Sequence, residues 1–238
     1  MSRPSLWERM LAYLEAGSMA LLNAFEPRPP GDSVAFSISF IALAAKLAKA
    51  DGTVTRDEVT MFRRIFDIPP EEEKNAARVF NLCRQETTGY EAYARQLSNT
   101  LQRSKRGDTL REDVLDGLFH IAVADNVYHE KEDAFLRRVT EIFGLDEAVF
   151  LRLRSRHVPE LRDPFGILGV SPDISLADLR SAKKRFVREN HPDQLIAAGL
   201  PQEMIELANA RLASFIEAFE EVEKMKTGSV IANQGNHG

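Results

Sequence analysis

Residues 175–193 read SLADLRSAKKRFVRENHPD and hold a helix start, an amphipathic helix and a helix end in one short segment. Ser175 is a good N-cap because its hydroxyl can accept a hydrogen bond from a free amide of the first turn. Pro192 has no amide hydrogen and restricts the backbone of the residue before it, so the helix must end there. The sequence predicts a helix from 176 to 190 that leads directly into an exposed His191-Pro192-Asp193 tripeptide.

The two sides of this predicted helix differ in character. The apolar side carries Leu179, Ala182, Phe186 and Val187. The basic side carries Arg180, Lys183, Lys184, Arg185 and Arg188. A second helix is expected from about Pro201, a residue favoured in a first turn, with an apolar face that runs to Val222. The simplest structure is an antiparallel helical hairpin with the tripeptide at its tip.

This order of features resembles the J-domain of DnaJ-type co-chaperones. The resemblance implies that the chain is not an enzyme but binds a DnaK-type chaperone and stimulates its ATPase. It assigns that activity to His191, Pro192 and Asp193. The partner-binding set is completed by basic residues that would steer association with an acidic surface, namely Arg180, Lys184, Arg185 and Arg188. Lys183 and Gln194 depart from the tyrosine and lysine usual in the family, which leaves the strength of stimulation open.

A repeat lies upstream, within a predicted all-α bundle that spans 33–157. Ala50-Asp51-Gly52 begins one copy and Ala124-Asp125-Asn126 the other, and Asp125 follows Asp51 by 74 residues. Glu58 and Glu132 occupy equivalent places after the two turns. Glycine and asparagine tolerate a left-handed backbone, and Thr55 with Glu58 forms a capping box, so each copy predicts a helix, a tight turn and a second helix.

The same acids allow a metal hypothesis. Asp51, Glu58, Asp125 and Glu132 could pool oxygen ligands for a divalent metal, although Leu47 and Lys49 stand where a calcium loop would need its first ligands. Plain turn-and-cap chemistry is the alternative, and no other cofactor is expected. The repeat also resembles the TerB-like helical domain. With the C-terminal hairpin, the layout is similar to DnaJ-like co-chaperones of the DjlA type, a type associated with bacterial membranes through an N-terminal anchor.

Composition limits the remaining choices. The chain has 238 residues, 44% hydrophobic and 28% charged, which suits one or two globular domains. A net charge of −5 gives no reason to expect nucleic-acid binding by phosphate neutralisation. The single cysteine, Cys83, excludes an internal disulfide. No segment has the roughly 20 apolar residues of a membrane span, so a cytoplasmic location is expected, with peripheral contact to the inner membrane left open.

The complete organisation predicted from the sequence has four parts. They are an N-terminal amphipathic helix with a proline-rich linker (1–32), the TerB-like bundle (33–157), the J-domain (162–225) and a disordered tail (226–238). The apolar stripe of the first helix is expected to dock on the bundle or on a partner, which leaves a homodimer open. The bundle would serve as a targeting or sensing module. A client protein of unknown identity is expected as a further partner. The alternative function is a metal-responsive or stress-response adaptor with a degenerate J-domain.

Overall fold

Helices with the predicted spacing make up the described part of the chain. The computed structural model describes residues 4–15, 34–50, 56–66, 68–85, 89–102, 106–191, 193, 196 and 202–234. The helices are α1 (Leu6–Glu15), α2 (Val34–Leu47), α3 (Arg56–Ile65), α4 (Glu73–Gln85), α5 (Tyr90–Gln102), α6 (Gly107–Ala122), α7 (Glu130–Phe143), α8 (Glu147–His157), α9 (Pro164–Leu168), α10 (Leu176–Glu189) and α11 (Gln202–Gln234). These residues contain no strand, so the predicted all-α class is confirmed.

The bundle is organised around α2, which is mostly apolar and is surrounded by other helices. Each of its described side chains except Lys46 is buried, because α1, α4, α5 and α6 surround it. Met10 of α1 is completely buried in the same core. The first helix therefore docks on the bundle, as its apolar stripe indicated, although residues 16–33 with the rest of that stripe lie outside the described residues.

The second copy of the repeat has the predicted turn. Asn126 adopts a left-handed backbone with φ of 63°. An Asp125 carboxylate oxygen accepts a hydrogen bond from the Val127 amide at 3.0 Å. Glu132 closes the start of α7 by accepting the His129 amide hydrogen at 2.9 Å. The first copy cannot be compared in the same way, because residues 51–55 and the side chain of Glu58 lie outside the described part.

The C-terminal hairpin comprises α9, α10 and the second half of α11. Ser175 caps α10 as predicted, its hydroxyl accepting the Asp178 amide hydrogen at 3.1 Å. The rings of Phe186 and Phe215 stack with their centroids 4.0 Å apart. The buried members of the hairpin core are Leu179, Phe215, Phe219 and Val222.

The first turns of α11 belong to a different core. Ile205, Leu207 and Ala208 are buried in the bundle cluster rather than against α10. The apolar face predicted for this helix is present. Its N-terminal residues pack in the bundle core and its later residues pack in the hairpin core. The predicted units 33–157 and 162–225 are therefore joined by a shared helix as well as by the chain between them.

The end of α11 differs from the expectation for the tail. The helix continues to Gln234, whereas the sequence predicted disorder from 226. Gly228 lowers helix stability by only about 1 kcal/mol, and a helix that has already formed many turns extends without a new nucleation cost. Residues 235–238 lie outside the described part.

Close contact between α6 and α11 depends on Gly117. A methyl group placed on Gly117 would lie 2.4 Å from a terminal carbon of Leu207, which is only 1% exposed and has little room to move. We expect Gly117→Val to lower the free energy of unfolding by about 1–3 kcal/mol through overpacking. Urea unfolding followed by circular dichroism measures this change.

The matched control combines Gly117→Val with Leu207→Ala, which removes the atoms that clash. The double variant should be more stable than the sum of the two single losses predicts. Strictly additive losses would show that Gly117 and Leu207 are not in contact.

Candidate partner-binding site

The tip of the hairpin presents two polar side chains to solvent. The side chains of His191 and Asp193 are 53% and 83% exposed, and His191 Nδ1 lies 3.4 Å from Asp193 Oδ2. The Asp193 amide also donates to His191 Nδ1 at 3.3 Å. Pro192, the third member of the predicted motif, lies outside the described residues. The two described members are exposed and contact each other through their polar atoms.

Asn190, the residue immediately before the tip, is held from several directions. It is 8% exposed. Its amide nitrogen donates to the carbonyl of Phe186 at 2.8 Å, which ties it to the last turn of α10. Its side-chain oxygen accepts from Arg211 Nη2 at 2.5 Å and from Arg106 Nη2 at 3.5 Å. The position where the tip begins is therefore fixed to α11 and to the start of α6.

Arg211, which holds Asn190, also contacts the bundle. Its Nε lies 3.0 Å from Asp113 Oδ1 on α6, and the two side chains are 5% and 1% exposed. The contact is an ion pair, because these atoms are not aligned for a hydrogen bond. Burial raises the pKa of Asp113 to about 7, against the opposing effect of Arg211. Arg211 thus connects a buried bundle carboxylate to the residue before the tip.

A second buried pair lies beside the hairpin core. Arg156 Nη1 donates to Asp116 Oδ1 at 2.7 Å, and both side chains are almost fully buried. The Arg156 guanidinium lies over the Phe215 ring at 4.6 Å from its centroid. Burial alone would raise the pKa of Asp116, but Arg156 and His157 hold it well below its usual range. The pair places a bundle charge directly against an aromatic ring of the hairpin.

The predicted basic face divides into two groups. Arg180 Nε lies 2.6 Å from Glu223 and Lys183 Nζ lies 3.6 Å from Glu220, so these two cations form ion pairs with α11. Lys184 and Arg185 are exposed and form no ion pair with a described residue. Arg188 is exposed and lies 4.0 Å from the adjacent Glu189. The outward basic surface is therefore formed by Lys184, Arg185 and Arg188.

The four acids of the repeat are only partly described, and the two described ones have local structural roles. Asp125 and Glu132 act in the turn and the helix cap described above. Asp51 lies outside the described residues, and so does the side chain of Glu58. The hypothesis that all four acids share a metal therefore stays a prediction.

The buried charges were missed at the sequence level. Asp113 and Asp116 interrupt the apolar face of α6 between Leu110 and Leu118, where every neighbour on that face is buried. A carboxylate at such a position needs a buried partner, which was the available signal. The partners could not be named, because Arg156 and Arg211 lie in other helices far along the chain.

Comparisons with known proteins found one matching family model and several similar relatives. Residues 37–155 match the family model described as tellurite resistance protein TerB. The chain is similar to "Co-chaperone protein DjlA" of Aliivibrio fischeri, 24% identical over 78% of this chain and 76% of the relative. It is 26% identical to the protein of that name from Legionella pneumophila, over 78% of this chain and 75% of the relative. The Escherichia coli K12 protein is 29% identical over 44% of this chain and 48% of its own length. No solved structure matches.

These relatives correct the expected location. A cytoplasmic protein, with or without peripheral contact to the inner membrane, was expected because no segment of the sequence reads as a membrane span. The matches are to DjlA proteins, the type that the resemblance above associates with bacterial membranes, so the cytoplasmic expectation is wrong as a conclusion from this sequence. Among the described helices, none combines the length and apolar character needed to cross a membrane.

The buried ion pair between α6 and α11 can be tested by a double-mutant cycle. Arg211→Leu leaves Asp113 buried without its cation, and we expect it to lower the free energy of unfolding by about 3–5 kcal/mol. Asp113→Leu combined with Arg211→Leu should recover much of that loss, because two apolar side chains need no partner. Urea unfolding of the four proteins measures the coupling. A double variant that loses the sum of both single effects would show that Asp113 and Arg211 do not interact.

Proposed function

This chain belongs to the TerB family, and we propose that it is a co-chaperone whose C-terminal J-domain binds a DnaK-type chaperone and stimulates its ATPase. The observation that carries the proposal is an outward-facing His191 and Asp193 at the end of a basic helix, anchored from behind through Asn190. The relatives named co-chaperone support it over most of the chain. The chain acts on hydrolysis performed by its partner and is not itself an enzyme.

Docking of the tip relies on charge-assisted hydrogen bonds. A histidine and a carboxylate that are half or more exposed are available to a partner without first breaking a buried network. Asn190 is already ordered by Arg211, so little conformational entropy remains to be lost when the tip binds. Pro192 contributes through its restricted backbone, as the family resemblance implies.

The outward cations act earlier, during encounter. Lys184, Arg185 and Arg188 form a basic surface on the helix that leads to the tip, which would attract an acidic surface of the chaperone and orient it. Arg180 belongs to the same predicted set, but Glu223 already neutralises part of its charge at 2.6 Å. Its share of the attraction is therefore smaller than that of Lys184 or Arg185.

The bundle is proposed to target the J-domain or to sense a condition on its behalf. Its connection to the hairpin through α11 would hold the tip in one orientation relative to whatever the bundle binds. This arrangement suits delivery of a specific client to the chaperone.

The co-chaperone proposal is tested by single-turnover ATP hydrolysis on a DnaK-type chaperone. We expect the full chain to accelerate hydrolysis, and His191→Gln to abolish the acceleration while the circular dichroism spectrum stays unchanged. The matched control is Asp173→Asn, an exposed carboxylate at the opposite end of the hairpin, which should stimulate like the unmodified chain. Stimulation that survives His191→Gln would contradict the assignment, and no stimulation by the unmodified chain would favour the adaptor with a degenerate J-domain.

The role of the basic surface is tested by association rates at several ionic strengths. Lys184→Ala with Arg185→Ala should slow association with the chaperone several-fold at low salt and flatten its salt dependence, because charges at an interface rim act mainly on encounter. Arg180→Ala should have a smaller effect, since Glu223 holds its guanidinium. Surface plasmon resonance gives both the association rate and its dependence on salt concentration. Equal effects of Arg180 and Lys184 substitutions would show that the ion pair with Glu223 does not persist in solution.

A further inference from the structure

A second group of polar side chains lies between α6 and α8, with one member buried and two partly buried. It consists of Asp116 and His120 on α6 and His157 at the end of α8. One potential ligand atom from each residue lies within 4.8 Å of the other two. Asp116 and His120 are four positions apart, so both project from the same side of their helix. The two helices therefore bring a carboxylate and two imidazoles close together.

Two atoms of this group have no hydrogen-bond partner in the part of the chain that the structure describes. They are Asp116 Oδ2, on a side chain that is 0% exposed, and His120 Nε2. Each buried polar atom left in this condition costs about 1–3 kcal/mol. The other carboxylate oxygen, Oδ1, is already occupied by Arg156 and by His157 Nε2, both at 2.7 Å. The unsatisfied atoms point to a ligand that lies between Oδ2 and the His120 ring.

The donor set identifies the class of ligand. Two imidazole nitrogens and one carboxylate oxygen are the ligands of zinc and similar transition metals in three-ligand sites that keep a fourth position open. Calcium and magnesium prefer sites built from oxygen alone. Imidazole binds a metal in its neutral form.

We propose that Asp116, His120 and His157 form a binding site for a divalent transition metal of the zinc class. The site differs in every residue from the four acids of the repeat, and it does not depend on the co-chaperone proposal. The ion would take Asp116 Oδ2 and His120 Nε2, and His157 Nε2 would exchange its hydrogen bond with Oδ1 for the metal.

The surroundings hold these ligands in place. The Arg156 guanidinium fixes the Asp116 carboxylate through Oδ1, the kind of outer contact that orients metal-bound carboxylates. The ring of Phe119 is nearly parallel to that of His157, with 7° between their planes, and limits its rotation. As a cation, Arg156 also opposes a positive ion, so the site should bind less tightly than the same three ligands would without it.

The ion would lie close to the junction between the two cores. Arg156 contacts both Asp116 and the Phe215 ring of the hairpin. Ligation of Asp116 and His157 would therefore stiffen the contact between the bundle and the hairpin. Thermal stability of the whole chain should rise when the metal is added.

The test is calorimetric titration of the full, untagged chain with Zn²⁺ after chelator treatment. We expect one ion per chain, a rise in melting temperature, and visible absorption bands of tetrahedral nitrogen and oxygen ligation when Co²⁺ is added instead. His120→Gln and His157→Asn should each weaken Zn²⁺ binding by more than the roughly 10–100-fold that loss of an outer-shell partner produces. His129→Gln and Asp125→Ala, which alter the neighbouring turn, should bind like the unmodified chain.

The outcomes separate the alternatives. No binding by the unmodified chain would overturn the site and leave a buried water as the bridge between Asp116 and His120. Zn²⁺ binding that persists in folded His120→Gln and His157→Asn chains, or that is lost in Asp125→Ala, would place the metal elsewhere and also overturn it. If either histidine variant fails to fold, the Co²⁺ spectrum of the unmodified chain decides, because bands of octahedral, all-oxygen ligation would exclude two histidine ligands.

Discussion

Arg211 contacts both Asp113 of the bundle and Asn190 beside the tip, and these two contacts hold the bundle and the hairpin together. The Arg211 residue is 4% exposed; its guanidinium faces the Asp113 carboxylate on one side and donates a hydrogen bond to the Asn190 side-chain oxygen on the other. A charge this deeply buried is stable only with both partners in place. The bundle, the last helix and the residue before the tip therefore share a single arrangement.

This arrangement explains why α11 is long and why its apolar face is divided. Leu207 packs against Gly117 in the bundle, and Phe215 packs against Phe186 in the hairpin, so one rigid helix crosses from one core to the other. Apolar contacts alone would allow the two units to slide. The buried ion pairs fix the position of one unit relative to the other, because buried charges tolerate little displacement from their partners. The function proposed for the tip is thereby tied to the position of the bundle.

Much of this architecture could be predicted from the sequence, because the predicted features are local. Helical periodicity, the Ser175 cap and the left-handed Asn126 turn all depend on residues close together in the chain. The junction could not be predicted, since Asp113 and Arg211 meet only after the helices pack. The same holds for His120 and His157, which no short metal motif connects. The tip residues could be proposed because a His-Pro-Asp tripeptide at the end of a helix is a local signal.

We expect the bundle and the hairpin to form one cooperative body through α11. Differential scanning calorimetry of the full chain tests it most directly. A shared core predicts one unfolding transition whose calorimetric and van't Hoff enthalpies agree. Two separate transitions, or a calorimetric enthalpy well above the van't Hoff value, would show that the hairpin unfolds independently and would contradict the account.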